Sequence, residues 1–326
     1  MVGPVVAGLL GTFAPAFGFL PALGGTEFTT DAFGKLVDWP GFFRASVLSV
    51  TTGFAATSLS LLLVALICAA WSGSRMFRTI ERVLSPLLSV PHAAAAFGLA
   101  FLIAPSGWVS RLVSPGLTGW ERPPDVLILQ DPFGISLVAG LVVKEVPFLM
   151  LMTLAALSQI RVGQARATAM ALGYSPVSGW IKTVFPRVYE QIRLPVYAVL
   201  AFSMTVIDVS LILGPTTPPT LAVQILRWMN DPDLGLRFLA SAAAVWQLGL
   251  VVAALVVWRT GELMVARLGR RWVASGARGG ATGFWKGATL LAAVLSASAI
   301  SFGLLGLLVW STEDSDIDRL FKNDNV

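Results

Sequence analysis

The stretch ATAMALGYSPVSGWIKTVFPRV, residues 167–188, decides how the rest of the chain is read. It carries helix-stop and helix-start signals in working order. Gly173 suits the left-handed position that closes a helix. Ser175 can cap the next helix, and Pro176 fits its first position. Beyond them Val177, Trp180, Ile181 and Val184 fall at i, i+3, i+4 and i+7, one apolar stripe on a short helix. Ser178, Lys182 and Thr183 are expected to face away from that stripe. Pro186 ends or bends the helix, and Pro195 is read as opening the next one. The expectation is a compact helical knob with an apolar face and a basic rim. A helix lying on lipid headgroups would share the stripe, but it would need no glycine hinge before it.

The surroundings are lipid-soluble. Of 326 residues, 56% are hydrophobic and 13% charged, against about 25% charged in soluble domains. Runs near the roughly 20 residues that span hydrocarbon as a helix predict an all-α, polytopic membrane protein. About seven spans are expected, near 5–23, 45–70, 86–104, 135–158, 195–213, 238–258 and 287–310, the first kinked by Pro15. Cations concentrate in alternate loops: Arg75, Arg78, Arg82; Arg161, Arg166, Lys182, Arg187, Arg193; and the run from Arg259 to Lys286. The positive-inside rule makes those loops cytoplasmic. The N-terminus is then cytoplasmic and the C-terminus on the outer face; the family resemblance given below makes the membrane a bacterial inner one and that face periplasmic. The longest cytoplasmic loop is 159–194. Tryptophans near span ends, such as Trp39, Trp71 and Trp258, read as an aromatic belt.

Several chemistries are excluded. One cysteine, Cys68, cannot build a disulfide framework, and one histidine, His92, cannot build a multi-histidine metal site. There is no G-x-x-x-x-G-K-[ST], no H-E-x-x-H and no G-x-S-x-G, so no catalytic residue, metal or cofactor is expected. The net charge of +5 follows from topology and calls for no nucleic acid. Lys144, Glu145 and Asp208 fall within apolar spans, where a charge costs about 2.5–3.5 kcal/mol on insertion scales. Lys144 and Glu145 point about 100° apart on a helix, so each is expected to find Asp208 or a backbone carbonyl instead. Two readings stay open, a lined translocation pathway and an interhelical clamp. Pro215, in Leu213–Thr220, belongs to an exit loop, since Gly and Pro end helices, or, on the family resemblance given below, to a vestibule facing a periplasmic binding protein.

The 167–188 stretch resembles the cytoplasmic loop of binding-protein-dependent ABC transporter permeases, with their Glu-Ala-Ala, three residues, Gly pattern and a closing apolar-Leu-Pro. Ala169 takes the second alanine, Leu172 and Gly173 the Leu-Gly core, and Val184-Phe185-Pro186 the close. Ala167 stands where the family has glutamate and Thr168 where it has the first alanine. The resemblance implies a type I (MetI-like) importer permease core over 45–260. Residues 1–44 would form a first helix and periplasmic loop, and 261–326 a basic linker, an extra span and an acidic tail. It also implies a coupling loop carrying Ala169, Leu172, Gly173, Tyr174, Ser175, Pro176, Trp180 and Pro186, gripped by a cytoplasmic ATPase dimer. LILGPTTPPTLAVQILRW and VPHAAAAFGLAFLIAPSGW resemble one half of the fused two-half permeases of thiamine-, iron- or similar small-solute importers. A second permease half or copy, a periplasmic substrate-binding protein and the bilayer would be its partners. Alternatives are an ion-coupled secondary transporter, which would need paired broken helices, and a non-transporting fragment of a larger permease.

Overall fold

The computed structural model describes residues 2–274 and Gly276; the expected span 287–310 and the acidic tail lie outside them. The regular structure of the described residues is helical. In chain order the helices are α1 (Val2–Ala16), α2 (Asp31–Asp38), α3 (Phe42–Trp71), α4 (Arg75–Ser89), α5 (His92–Ile103), α6 (Trp108–Val113), α7 (Ile135–Ser158), α8 (Val162–Ala171), α9 (Pro176–Thr183), α10 (Phe185–Thr205), α11 (Asp208–Leu213), α12 (Leu221–Met229) and α13 (Leu236–Ala274). Among the described residues, four helical stretches are long and apolar enough to cross a membrane: Phe42–Trp71, His92–Val113, Ile135–Ser158 and Leu236–Arg271.

Three expected spans are corrected. The first stops at Ala16 rather than residue 23, because Pro15, Gly18 and Pro21 follow in quick succession. The 86–104 span is two helices. α4 begins back at Arg75, capped by the Ser74 side chain accepting from Phe77 N, and ends where Pro91 forces Val90 to an extended ψ of 127°. The 195–213 span starts at Phe185, ten residues early, and Pro195 lies inside it. It breaks at Val206 and Ile207 before α11. The expected boundary at 260 falls inside α13, which runs on to Ala274.

The chain divides into two compact units. One comprises 1–57, 130–138 and 197–271. Its core is built on small residues, with Ala45, Ala240, Ala242 and Ala243 fully buried around Leu36, Leu221 and Trp228. Small side chains let helix backbones approach closely, the usual basis of packing where lipid removes the hydrophobic drive. A side chain at Gly53 would run into Met204, so α3 and α10 meet at that point without an intervening group. Along α3, Ser49, Thr52 and Thr57 hydroxyls donate to carbonyls four residues back, at 3.0, 2.7 and 2.8 Å, which satisfies them within their own helix. Across the unit, Trp246 Nε1 donates to Ser46 Oγ at 3.1 Å, and Ser49 Oγ accepts from Leu221 N at 3.0 Å. The break after α10 is also partnered: Gln247 Nε2 donates to Met204 O at 2.9 Å.

The start of α7 belongs to this unit. Asp131 caps it, with Oδ2 accepting from Phe133 N (3.2 Å) and Ile135 N (2.8 Å) and Oδ1 from Ser136 N (2.9 Å). The Ser136 hydroxyl lies within hydrogen-bond distance of Asp131 Oδ1 and of Leu213 O. Burial pushes the Asp131 carboxyl up, but the hydrogen bonds from Ile135, Ser136 and Phe133 outweigh it and hold it below the usual carboxylate range.

The other unit draws on 58–129 and 139–196. Here Cys68 Sγ rests 3.6 Å from Met150 Sδ, an inert buried thiol.

A depressed carboxyl stabilises the fold above its unfolded pKa, and that stability is lost as pH falls through the lower folded value. Asp131→Ala should cost about 1 kcal/mol, the scale of one helix cap, in thermal unfolding of the detergent-solubilised chain at neutral pH. The gap between wild type and variant should close only as the pH drops below the normal aspartate range.

Candidate functional site: the α8–α9 hairpin

The sequence from Ala169 to Ser178 closes one helix and opens another within a few residues. Gly173 takes φ +81°. Tyr174 N donates to Ala169 O at 3.0 Å and Gly173 N to Met170 O at 2.9 Å, the paired bonds of a Schellman ending. Ser175 is extended at ψ 154°, its hydroxyl accepts from Ser178 N at 3.2 Å, and Pro176 follows at the first helical turn. The turn thus meets several of its orphan donors and acceptors locally.

α9 then folds back on α8 at a point with no spare room. A Cβ built on Gly179 would stand 2.8 Å from Ala169 Cβ. Ala169, Val177, Trp180 and Val184 are buried. The apolar stripe of α9 therefore faces inward and is not offered to a partner, which corrects the expectation of an exposed apolar face. Lys182 is corrected as well: it is only 6% exposed, and its ammonium lies 5.1 Å from the centre of the Tyr174 ring, a cation–π distance. What the hairpin presents outward is its tip. Met170 is 52% and Leu172 57% exposed, and Ala167, Thr168, Ala171 and Gly173 are exposed beside them.

The hairpin is fastened at both ends. Arg166 donates from Nη1 to Ser72 O at 2.9 Å, a cation on the carbonyl end of α3. Trp180, Phe185 and Tyr189 form a chain of rings with centroids 5.9 Å apart at each step, joining α9 to α10. Pro186 lies in the first turn of α10, where its missing N–H costs nothing. A cleft of about 660 Å³ runs between α8 and the start of α10.

The charged candidates fall in different settings. Lys144 is buried, and Nζ donates to Val90 O at 2.6 Å and Leu87 O at 3.3 Å. It found backbone carbonyls, and those carbonyls belong to the end of α4 that Pro91 interrupts. Glu145, its neighbour on α7, is equally buried. Asp208 is exposed at the first residue of α11, not buried in a continuous span, because the helix breaks just before it. Pro215 is buried in the segment after α11. Sequence reasoning missed Asp131, Gln247 and Arg166 as partners of helix ends. The signal for Asp131 was there, an acid a few residues before an apolar run; Gln247 and Arg166 reach distant carbonyls and left no local trace. Among the described residues, no cluster of His, Cys, Asp and Glu is placed to hold a metal.

Two substitutions test the joint. Gly173→Ala should cost about 1–2 kcal/mol, the penalty for a left-handed non-glycine residue. Ala169→Leu should force α9 off α8. Hydrogen exchange of the Tyr174 and Gly179 amides should speed up in both, while the exchange of α7 amides stays unchanged.

No family model matches the chain. It is 31% identical over 225 residues to the inner membrane ABC transporter permease protein YnjC of Escherichia coli (strain K12), a match covering 67% of this chain and 42% of that protein. The chain thus spans less than half the length of this relative. With its apolar spanning helices and this relative at that level of identity, the chain belongs to the ABC transporter permeases.

Proposed function

We propose that the chain is the transmembrane subunit of an ATP-driven importer in a bacterial inner membrane, and that the α8–α9 tip is its contact with a separate cytoplasmic ATPase. The observation that supports this best is the division of labour in the hairpin: a buried face that fixes it and an exposed, partly apolar tip of Met170, Ala171, Leu172 and Gly173. A tip of that kind, held by tight backbone turns, can transmit a push without deforming. Arg166 on Ser72 O and the Trp180–Phe185–Tyr189 rings would pass displacement of the tip into α3 and α10. Closure of an ATPase dimer on ATP would then tilt the spans toward alternate access.

Ala167 is exposed at the position where the family carries glutamate, so docking here would lean on apolar contact at Leu172 and Met170. The YnjC protein is more than twice as long as the aligned stretch. This favours the view that the chain supplies one half of a paired permease, with a second half or copy completing the solute pathway. The seven-span, type I core belongs to the same reading, as do the cytoplasmic N-terminus and a periplasmic binding protein that delivers solute. Asp208 and Pro215, at and after the break in the α10–α11 segment, are the pathway positions; Lys144 serves as the clamp on α4, and Glu145 accompanies it.

The chain, tagged and coexpressed with an ABC ATPase encoded beside it, should recover that ATPase from solubilised membranes. Leu172→Asp should reduce recovery about tenfold, the scale of one interface anchor, with the permease still folded. A cysteine in place of Ala171 should react with an impermeant maleimide in inside-out vesicles only. Labelling in intact cells instead would sink the assignment.

A further inference from the structure

The cleft between α8 and α10 shares its rim with the hairpin tip at Thr168 and Leu172, but its charged and amide groups have no part in the coupling scheme above. One wall is a single face of α8: Arg161, Gln164 and Thr168 fall three to four residues apart and all line it. The other wall is one face of α10, with Arg187, Glu190 and Gln191 at i, i+3 and i+4. Its volume of about 660 Å³ lies within the roughly 300–1,000 Å³ of small-ligand sites. The lining is rich in donors, from two guanidinium groups and several side-chain amides, with one carboxylate among them.

The place of the cleft in the fold says where the ligand comes from. α7 is an apolar span that ends at Ser158, and the cleft begins at the next residues, Gln159 and Arg161. On α10, Leu194 is 75% exposed only one helical turn beyond Glu190 and Gln191. With α7 crossing the membrane and Leu194 set against acyl chains, the polar lining would stand at headgroup depth. Basic pockets between membrane helices at that depth suit anionic lipid headgroups, each cation worth about 1 kcal/mol near the surface.

We propose that this cleft is a headgroup site for an anionic glycerophospholipid of the phosphatidylglycerol type. Arg161 and Arg187 take the phosphodiester, as guanidinium groups do. Glu190, which would repel a bare phosphate, accepts from the hydroxyls of the terminal glycerol, and Gln164 and Gln191 complete the bonding. The proposal rests on the membrane reading of the chain and not on the ATPase partnership.

The test is lipid retention. The purified full-length chain is equilibrated with vesicles of equal parts phosphatidylglycerol and phosphatidylcholine, and the lipids carried through extraction are counted by native mass spectrometry. Wild type should retain phosphatidylglycerol roughly thirtyfold over phosphatidylcholine, the scale set by two cations at about 1 kcal/mol each. Arg161→Gln with Arg187→Gln should bring the ratio to parity. Arg78→Gln with Arg82→Gln, which removes the same charge from exposed positions of α4, should leave it intact. Equal loss in both pairs would reduce the effect to diffuse charge and overturn the site. Displacement of the lipid by soluble glycerol phosphate at matched concentration would make it a free phosphate-ester site. Unchanged lipid with lost ATPase recovery in the Arg161/Arg187 pair would make it a protein contact; the lipid site would then fall while the coupling proposal stood.

Discussion

Lipid offers a peptide group nothing to bond, and this constraint organises the molecule. A continuous helix meets it without help. Each interruption of a helix leaves carbonyls or amides that must be met by something else, and here the partner is in several places a polar side chain, either at the helix end itself or from another element. Lys144 reaches the carbonyls at the end of α4 where Pro91 stops it. Gln247 reaches Met204 O at the break after α10. Asp131 gathers the first amides of α7, and Arg166 takes a carbonyl just beyond α3. Lys144, Gln247, Asp131 and Arg166 thus serve places where the backbone changes direction, while hydroxyls within α3 bond to their own helix.

The same logic separates the hairpin from the rest. In the α8–α9 turn the bonds are short-range, made by Gly173, Tyr174 and Ser175 with residues a few positions away. A turn that completes its own hydrogen bonding depends little on its neighbours and keeps its shape when they move. That is the property the proposed contact with an ATPase would need. The fastening to α3 and α10 lies outside the turn, in Arg166 and in the ring stack, so stiffness and attachment are supplied by different residues.

This difference explains how much was legible in the sequence. The hairpin was readable residue by residue, because Gly173, Ser175 and Pro176 act on their immediate neighbours. α7 was read to the residue, from an uninterrupted apolar run bounded by polar segments. The break at Val206–Ile207 was not, since no proline or glycine stands there and Pro195, which invited a boundary, is accommodated within α10. The inward turn of the α9 stripe also escaped. Periodicity gives the existence of an apolar face, but only the third dimension says whether α8 already covers it. Lys182 was misplaced for the same reason, its ring partner Tyr174 being on the far side of the turn.

The contact between Ala169 and Gly179 carries a consequence for sequence variation. The joint holds a single methyl carbon between two backbones. It is indifferent to which helix contributes that carbon, but it has no capacity for a second. Substitution at either position is thus conditional on the other, and the two should drift through related sequences as a coupled pair, one alanine and one glycine exchanging places and rarely growing together.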